Sequence, residues 1–214
     1  MGIPWVRGAS IVAFAYFLGA VPFGILVARL FDRNVDLRKV GSGNIGATNV
    51  VRAVGKTAGA LTLLLDAGKG IFVMFLAYRF IEDRVDLWLA LVGGAVFLGH
   101  VFPAYMSFRG GKGVATALGI VLFLSPVTVF ILVVLFSLVV YFTRYVSLGS
   151  LCAALALPLL MALFATSRHY VTLSLVIAFL VIYTHRENIR RLLAGKERKF
   201  GAPKGETAER DSPA

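Results

Sequence analysis

Cysteine occurs once in this 214-residue chain and histidine three times. A single thiol, Cys152, makes no intramolecular disulfide, so nothing about redox compartment follows from it. Three scattered histidines and no acidic cluster in the loops leave too few donors for a metal centre, and neither a metal nor another cofactor is expected. Acid is scarce: 11 Asp and Glu face 22 Lys and Arg, for a net charge of +11. The basic residues nonetheless form no block or stripe, which argues against a nucleic-acid surface. They sit between apolar runs, a distribution suited to anionic lipid head groups or anionic substrates. Charge of either sign is only 15% of the chain while 58% is hydrophobic, more than a water-soluble core requires. The first apolar stretch is too long for a signal-peptide core and has no clear A-x-A cleavage site, so it reads as a membrane span.

A bilayer core takes about 20 apolar residues per helix. Runs of that kind cover Ala9–Leu30, Thr57–Tyr78, Leu87–Ser107, Val114–Leu124, Val127–Phe142, Leu148–Ala165 and Val171–Tyr183. Joined, the fourth and fifth would make one helix of about 45 Å at 1.5 Å per residue, too long for a single crossing. Ser125-Pro126 divides them, because proline lacks a donor and disturbs the preceding turn. The expectation is an all-α integral membrane protein of seven transmembrane helices, N-terminus outside and C-terminus cytoplasmic. Basic residues test that parity: 17 then fall on the cytoplasmic side and 4 outside, with Lys69 inside a span. Residues 1–200 read as one domain and 201–214 as a disordered tail rich in Gly, Pro, Ala and charge.

Polar residues cluster at the expected cytoplasmic ends. Gly41-Ser42-Gly43-Asn44-Ile45-Gly46-Ala47-Thr48-Asn49, followed by Arg52, combines glycines that let backbone N–H groups converge with neutral donors and one cation. That is a phosphate cradle without the spacing of a nucleotide P-loop; the plainer alternative is a flexible loop capping a helix. His100 leads into Arg109-Gly110-Gly111-Lys112-Gly113, where glycines flank a lysine at a helix start and again suit an anion. Here Arg109 and Lys112 also serve as ordinary membrane anchors, and a lone His100 is more often a packed side chain. Ser150 opens the sixth helix. His185 and Asn188, three apart, share a helix face where the last span meets the cytoplasm, with Arg186, Arg190 and Arg191 nearby. Asp66 and Lys69, also three apart, lie inside the second span, where each charge costs about 2.5–3.5 kcal/mol unless satisfied; pairing within the bundle is the expectation.

With these motifs, the chain resembles the bacterial acyl-phosphate:glycerol-3-phosphate acyltransferases, the PlsY family. The resemblance rests on Val21-Pro22-Phe23-Gly24, GSGNIGATNVVRAVGK at 41–56, LLLDAGKG at 63–70, GHVFPAYMSFRGGKGVAT at 99–116, Ser147 to Ser150, and HRENIRRLLAGKE at 185–197. It implies an enzyme of the bacterial cytoplasmic membrane with its active site on the cytoplasmic side. The reaction would move an acyl chain from acyl phosphate to the sn-1 hydroxyl of glycerol 3-phosphate, the two substrates being its partners together with membrane lipid; no obligatory protein partner is evident. Ser42, Arg52, Lys112, His185 and Asn188 are then the catalytic candidates. Gly41, Gly43, Asn44, Thr48, His100, Gly111, Gly113 and Ser150 are the candidate phosphate and substrate ligands. Ser42, Gly43, Asn44 and Lys112 are assigned mainly to acyl phosphate, and Arg52, Ser150, His185 and Asn188 mainly to glycerol 3-phosphate. Acyltransferases that pair a His with an Asp after four intervening residues are a different group. The corresponding positions here are Tyr105, Ser174 and Arg190. A transporter of phosphate esters is the main alternative, although it predicts related halves and a midplane site. A lipid-binding scaffold subunit would leave the dense Ser, Asn, Thr and Gly pattern unexplained.

Overall fold

The computed structural model describes residues 4–201; most of the expected tail lies outside them. Ten α-helices and one 3-10 turn succeed one another, with no strand among the described residues. They are α1 (Pro4–Ala20), α2 (Phe23–Phe31), α3 (Ala47–Ala53), α4 (Lys56–Phe80), α5 (Val85–Val101), α6 (Val114–Leu124), α7 (Pro126–Thr143), α8 (Val146–Phe164), α9 (Arg168–Thr184) and α10 (Arg186–Leu193). In lipid every backbone polar group must be paired, within a helix or around a closed barrel, and these long, continuously apolar runs take the helix.

All seven apolar runs are helical, but not every one is an uninterrupted span. Five stretches are long and apolar enough to cross a membrane, and α9 with α10, bent by 57°, makes a sixth. Helix α6 has only 11 residues, about 17 Å, and falls short of a bilayer core by itself. The break at Ser125-Pro126 is where the proline put it: Pro126 opens α7, and the Ser125 hydroxyl accepts from the Thr128 amide. The first run differs from expectation. It is not continuous, because Pro22 has no N–H to give and α1 stops at Ala20, two residues before it. The carbonyls of Gly19 and Val21, freed by that break, accept hydrogen bonds from the Lys69 ammonium of α4 at 2.8 and 3.3 Å.

Close helix contacts run through glycine. A Cβ at Gly19 would strike the Val96 carbonyl, and one at Gly99 the Tyr16 carbonyl, so α1 and α5 pack backbone to backbone. Gly119 stands in the same relation to the Ala67 carbonyl and Gly70 to that of Thr116, which seats short α6 on α4. Small residues let helices approach where lipid removes the hydrophobic drive for association. Phe97, Met74, Ile120, Met161 and Ile177 fill the interior. Phe130, Phe142, Leu155 and Phe179 point outward and are each more than 60% exposed. An apolar surface of that extent is a lipid-facing one.

Candidate active site

Helices deliver the polar residues to one end of the bundle. The segment joining α2 to α3 folds around Asn49, which is 2% exposed. Its amide donates to the Leu37 and Val40 carbonyls at 3.0 Å, and its Oδ1 accepts from the Ser42 N–H at 3.0 Å. Gly41 and Gly43 occupy left-handed conformations, φ +61° and +67°, that turn the chain there. The Asn44 side chain accepts from the Gly46 N–H, and no described group accepts from its amide N–H₂. Arg52 follows on α3. Across from this loop, His100 sits in the last turn of α5, and the chain returns through Gly110 and Gly111, whose N–H groups donate to the Val101 and His100 carbonyls. Gly113, φ +83°, then starts α6.

A cavity of about 730 Å³ opens between these pieces. Of the predicted site residues, Ser42, Asn44, Thr48, Arg52 and His100 line it, as do Lys112, Gly113, Ser150, His185 and Asn188. Gly41, Gly43 and Gly111 do not. The Gly43 N–H donates to the Val40 carbonyl and the Gly111 N–H to that of His100, so these two amides hold their loops in shape. Below the polar rim the cavity runs between α6, α7 and α8, where Leu118, Val133, Phe136 and Leu157 form an apolar wall. A second cleft, about 660 Å³ and lined by Arg84, Asp86 and Arg168, lies at the opposite ends of α5 and α9 and holds none of the candidates.

The polar end is wired together. Lys112 Nζ donates to Asn188 Oδ1. Asn188 Nδ2 donates to Glu197 Oε1 at 2.7 Å. Glu197 also accepts from the Ser147 hydroxyl at 2.6 Å and from Arg191 Nε at 2.8 Å. Burial pushes the Glu197 carboxyl up, but these donors outweigh it and hold its pKa below the usual value. Glu197 and Ser147 line the same cavity, and residue-type reasoning did not single out either as a site residue. Each belongs to a resembling motif, yet a lone acid in a basic segment gives no sign that it anchors an asparagine. Burial lowers the Lys112 pKa to about 8, partly opposed by Glu197 and reinforced by Arg191 and Arg52. Burial likewise lowers Arg52 from the ordinary guanidinium value, far above neutrality in any case. Both are therefore cations at pH 7, set in a partly dry site with the Glu197 carboxylate acting on each.

His185 closes the site just past the end of α9, 2% exposed. Its Nδ1 lies 2.7 Å from the Val181 carbonyl. Since a carbonyl only accepts, Nδ1 carries the proton and Nε2 keeps its lone pair. Burial, then the Lys112 charge, lowers the imidazole pKa to about 4, leaving it neutral at pH 7. Ser150 donates to the Val146 carbonyl of its own helix at 3.0 Å and retains acceptor capacity toward the cavity. Inside the bundle, Asp66 and Lys69 pair at 2.8 Å, as their spacing predicts.

Residues 9–195 match the family described as glycerol-3-phosphate acyltransferase. A glycerol-3-phosphate acyltransferase of Geobacter sulfurreducens is 49% identical over 192 residues, which cover 90% of this chain and 97% of that protein. One of Aquifex aeolicus is 43% identical and is covered over its full length, with 91% of this chain aligned. Two crystal structures of PlsY, an integral membrane glycerol 3-phosphate acyltransferase, share the fold. Its glycerol 3-phosphate form superposes with a TM-score of 0.85 at 42% identity, covering 91% of this chain and 96% of that one. Its lysophosphatidic acid form gives 0.83 at 41% with the same coverage. With nearly all of its helical region matched in sequence and in fold, this chain is an integral membrane protein of the glycerol-3-phosphate acyltransferase family.

Proposed function

We propose that this chain transfers a fatty acyl group from acyl phosphate to the sn-1 hydroxyl of glycerol 3-phosphate, releasing lysophosphatidic acid and inorganic phosphate. The observation that carries the reading is a single cavity that joins a cationic, hydrogen-bonding rim to an apolar cleft. Both substrates bring a phosphate to the rim, and the acyl chain fits the cleft between α6, α7 and α8. A transporter would need the anion site at depth and a second half to rock against, whereas the charged rim here is confined to one end of the bundle.

In this reading Ser42, Asn44 and Lys112 hold the acyl phosphate, and Arg52, Ser150, His185 and Asn188 hold glycerol 3-phosphate, with Thr48 and Gly113 shaping the rim. The hydroxyl oxygen bonds to the acyl carbon as the bond from that carbon to the phosphate oxygen breaks. The departing phosphate takes the hydroxyl proton. His185 orients rather than deprotonates: its Nε2 lone pair accepts a hydrogen bond from the non-reacting hydroxyl of glycerol 3-phosphate, leaving the sn-1 proton to the phosphate, and a pKa of about 4 makes it a weak base. Acyl phosphate is activated already, so positioning and charge stabilisation supply the catalysis. Lys112 and Arg52 do most of the latter, since charge-assisted contacts gain strength where water is excluded.

The same proposal places the protein in the bacterial cytoplasmic membrane with seven crossings, α6 being the short one, and the cavity rim at the cytoplasmic face. Trp5 meets Trp88 edge to face beside Arg84, far along the helices from His185, which supports the reading of an odd number of crossings. Product analysis tests the function. Purified protein given acyl phosphate and glycerol 3-phosphate should form lysophosphatidic acid and phosphate in equal amounts; uptake into vesicles without products would identify a transporter instead.

A further inference from the structure

Lys69 lies in the bundle interior and reaches four acceptors. Its ammonium is 2.8 Å from the Gly19 carbonyl, 2.8 Å from Asp66 Oδ1, 2.9 Å from His100 Nδ1 and 3.3 Å from the Val21 carbonyl. The Phe23 ring covers it at 5.6 Å. Lys69, Asp66 and His100 are 4%, 3% and 7% exposed. An ammonium has three hydrogens and no lone pair. A 2.9 Å approach to His100 Nδ1 therefore requires the lone pair to be on that nitrogen. The competing arrangement, Nδ1–H donating to Asp66 Oδ1, has 3.5 Å to span and sets that hydrogen against those of Lys69. Hydrogen-bond geometry is met toward Gly19, Val21 and His100, which use all three hydrogens, while Asp66 Oδ1 holds the ammonium as its ion-pair partner.

The His100 proton is then on Nε2. That edge of the ring rests against Gly111, where any side chain would collide with Nε2, Cε1 and Cδ2. His100 also lines the cavity, and no described group accepts from its Nε2. We propose that Lys69, held by Asp66 and the two carbonyls of the α1–α2 break, fixes His100 as the Nε2–H tautomer, so that the ring donates a hydrogen bond to an oxygen of the bound acyl phosphate. That ligand rests on the function proposed above; the tautomer does not. The cavity thus has two neutral histidines locked in opposite senses. His185, tied through Nδ1–H to Val181, presents an acceptor, and His100, tied through its Nδ1 lone pair to Lys69, presents a donor. Lys69 is a positioning residue that does not line the cavity, and Asp66, which borders it beside His100, acts here by holding Lys69.

Nitrogen-15 NMR of side-chain imidazoles in detergent-solubilised protein reads the tautomer directly, with His100→Gln spectra giving the assignment. The wild type should show His100 protonated on Nε2. In Lys69→Met the unpaired Asp66 carboxylate should draw the proton to Nδ1, whereas Asp66→Asn should keep it on Nε2. An ion pair with a merely structural role predicts no such asymmetry. A wild-type His100 protonated on Nδ1, or an unmoved proton in folded Lys69→Met, overturns the proposal. Kinetics supply the second arm. The Gln amide nitrogen reaches the place of Nε2 and the Asn amide that of Nδ1, so His100→Gln should exceed His100→Asn in kcat/KM by about tenfold, the scale of one hydrogen bond to a charged group. Equal activities would remove the donor role. Protein with the expected tautomers that fails to use acyl phosphate would refute the proposed function and leave the lock standing.

Discussion

On the proposed function, phosphate binding depends chiefly on two side chains, Lys112 and Arg52. Lys112→Ala and Arg52→Ala should each lower kcat/KM by tens-fold or more, about 1.4 kcal/mol corresponding to each factor of ten. Steady-state kinetics should separate them, with Arg52→Ala chiefly raising the KM for glycerol 3-phosphate. The pH profile follows from the same residues. Lys112 works as the cation, so kcat/KM should fall as pH rises through about 8. A bound phosphate stabilises the charge, and the corresponding limb in kcat should move to higher pH. His185, neutral down to about 4, should add no limb near neutrality; an essential group titrating at about 6–7 and vanishing in His185→Gln would make it the base. Ser42 and Lys112 were legible as cavity residues because polar side chains among glycines are conspicuous in so apolar a chain, and His185 and Asn188 because they share a helix face where the last apolar run ends. Asn49 and Glu197 were not. The Asn49 amide reads as one more phosphate donor, yet both its hydrogens go to loop carbonyls. Glu197 owes its place to Ser147, 50 residues away, and to Asn188, contacts that no local pattern encodes.

Among the elements, α6 is the one most dependent on its neighbours, since it carries the Lys112 loop on a helix of 11 residues. Gly119→Ala would push a methyl into the Ala67 carbonyl and should lower the thermal midpoint in detergent by several degrees. Gly68→Ala meets nothing within 4 Å and should hold or raise the midpoint, because Gly in a helix interior costs about 0.5–1 kcal/mol relative to Ala. A comparable loss in both would show that α6 is not seated by glycine contact. Ser125-Pro126 revealed its break because the flanking runs are together too long for a bilayer. Val21-Pro22 hid its break because Ala9–Leu30 has the right length for a span. What stabilises that break is the cation of α4, and sequence distance conceals such a contact.

At the scale of the whole molecule, apolar exterior, polar end and basic loops describe an enzyme working where lipid meets water. Single-cysteine variants at residue 168 and within 202–214, made after replacing Cys152, should label from opposite sides of sealed vesicles, and labelling from one side would refute seven crossings. The central claim is acyl transfer from a phosphate anhydride held at the Lys112 rim. Its most direct measurement is kcat/KM for acyl phosphate beside that for the thioester of the same acyl chain with coenzyme A, glycerol 3-phosphate saturating and a chelator present throughout. The expected result is turnover confined to acyl phosphate, one phosphate released per lysophosphatidic acid formed and most of it lost in Lys112→Ala. Equal turnover of the thioester, or a folded Lys112→Ala as active as the wild type, would contradict it.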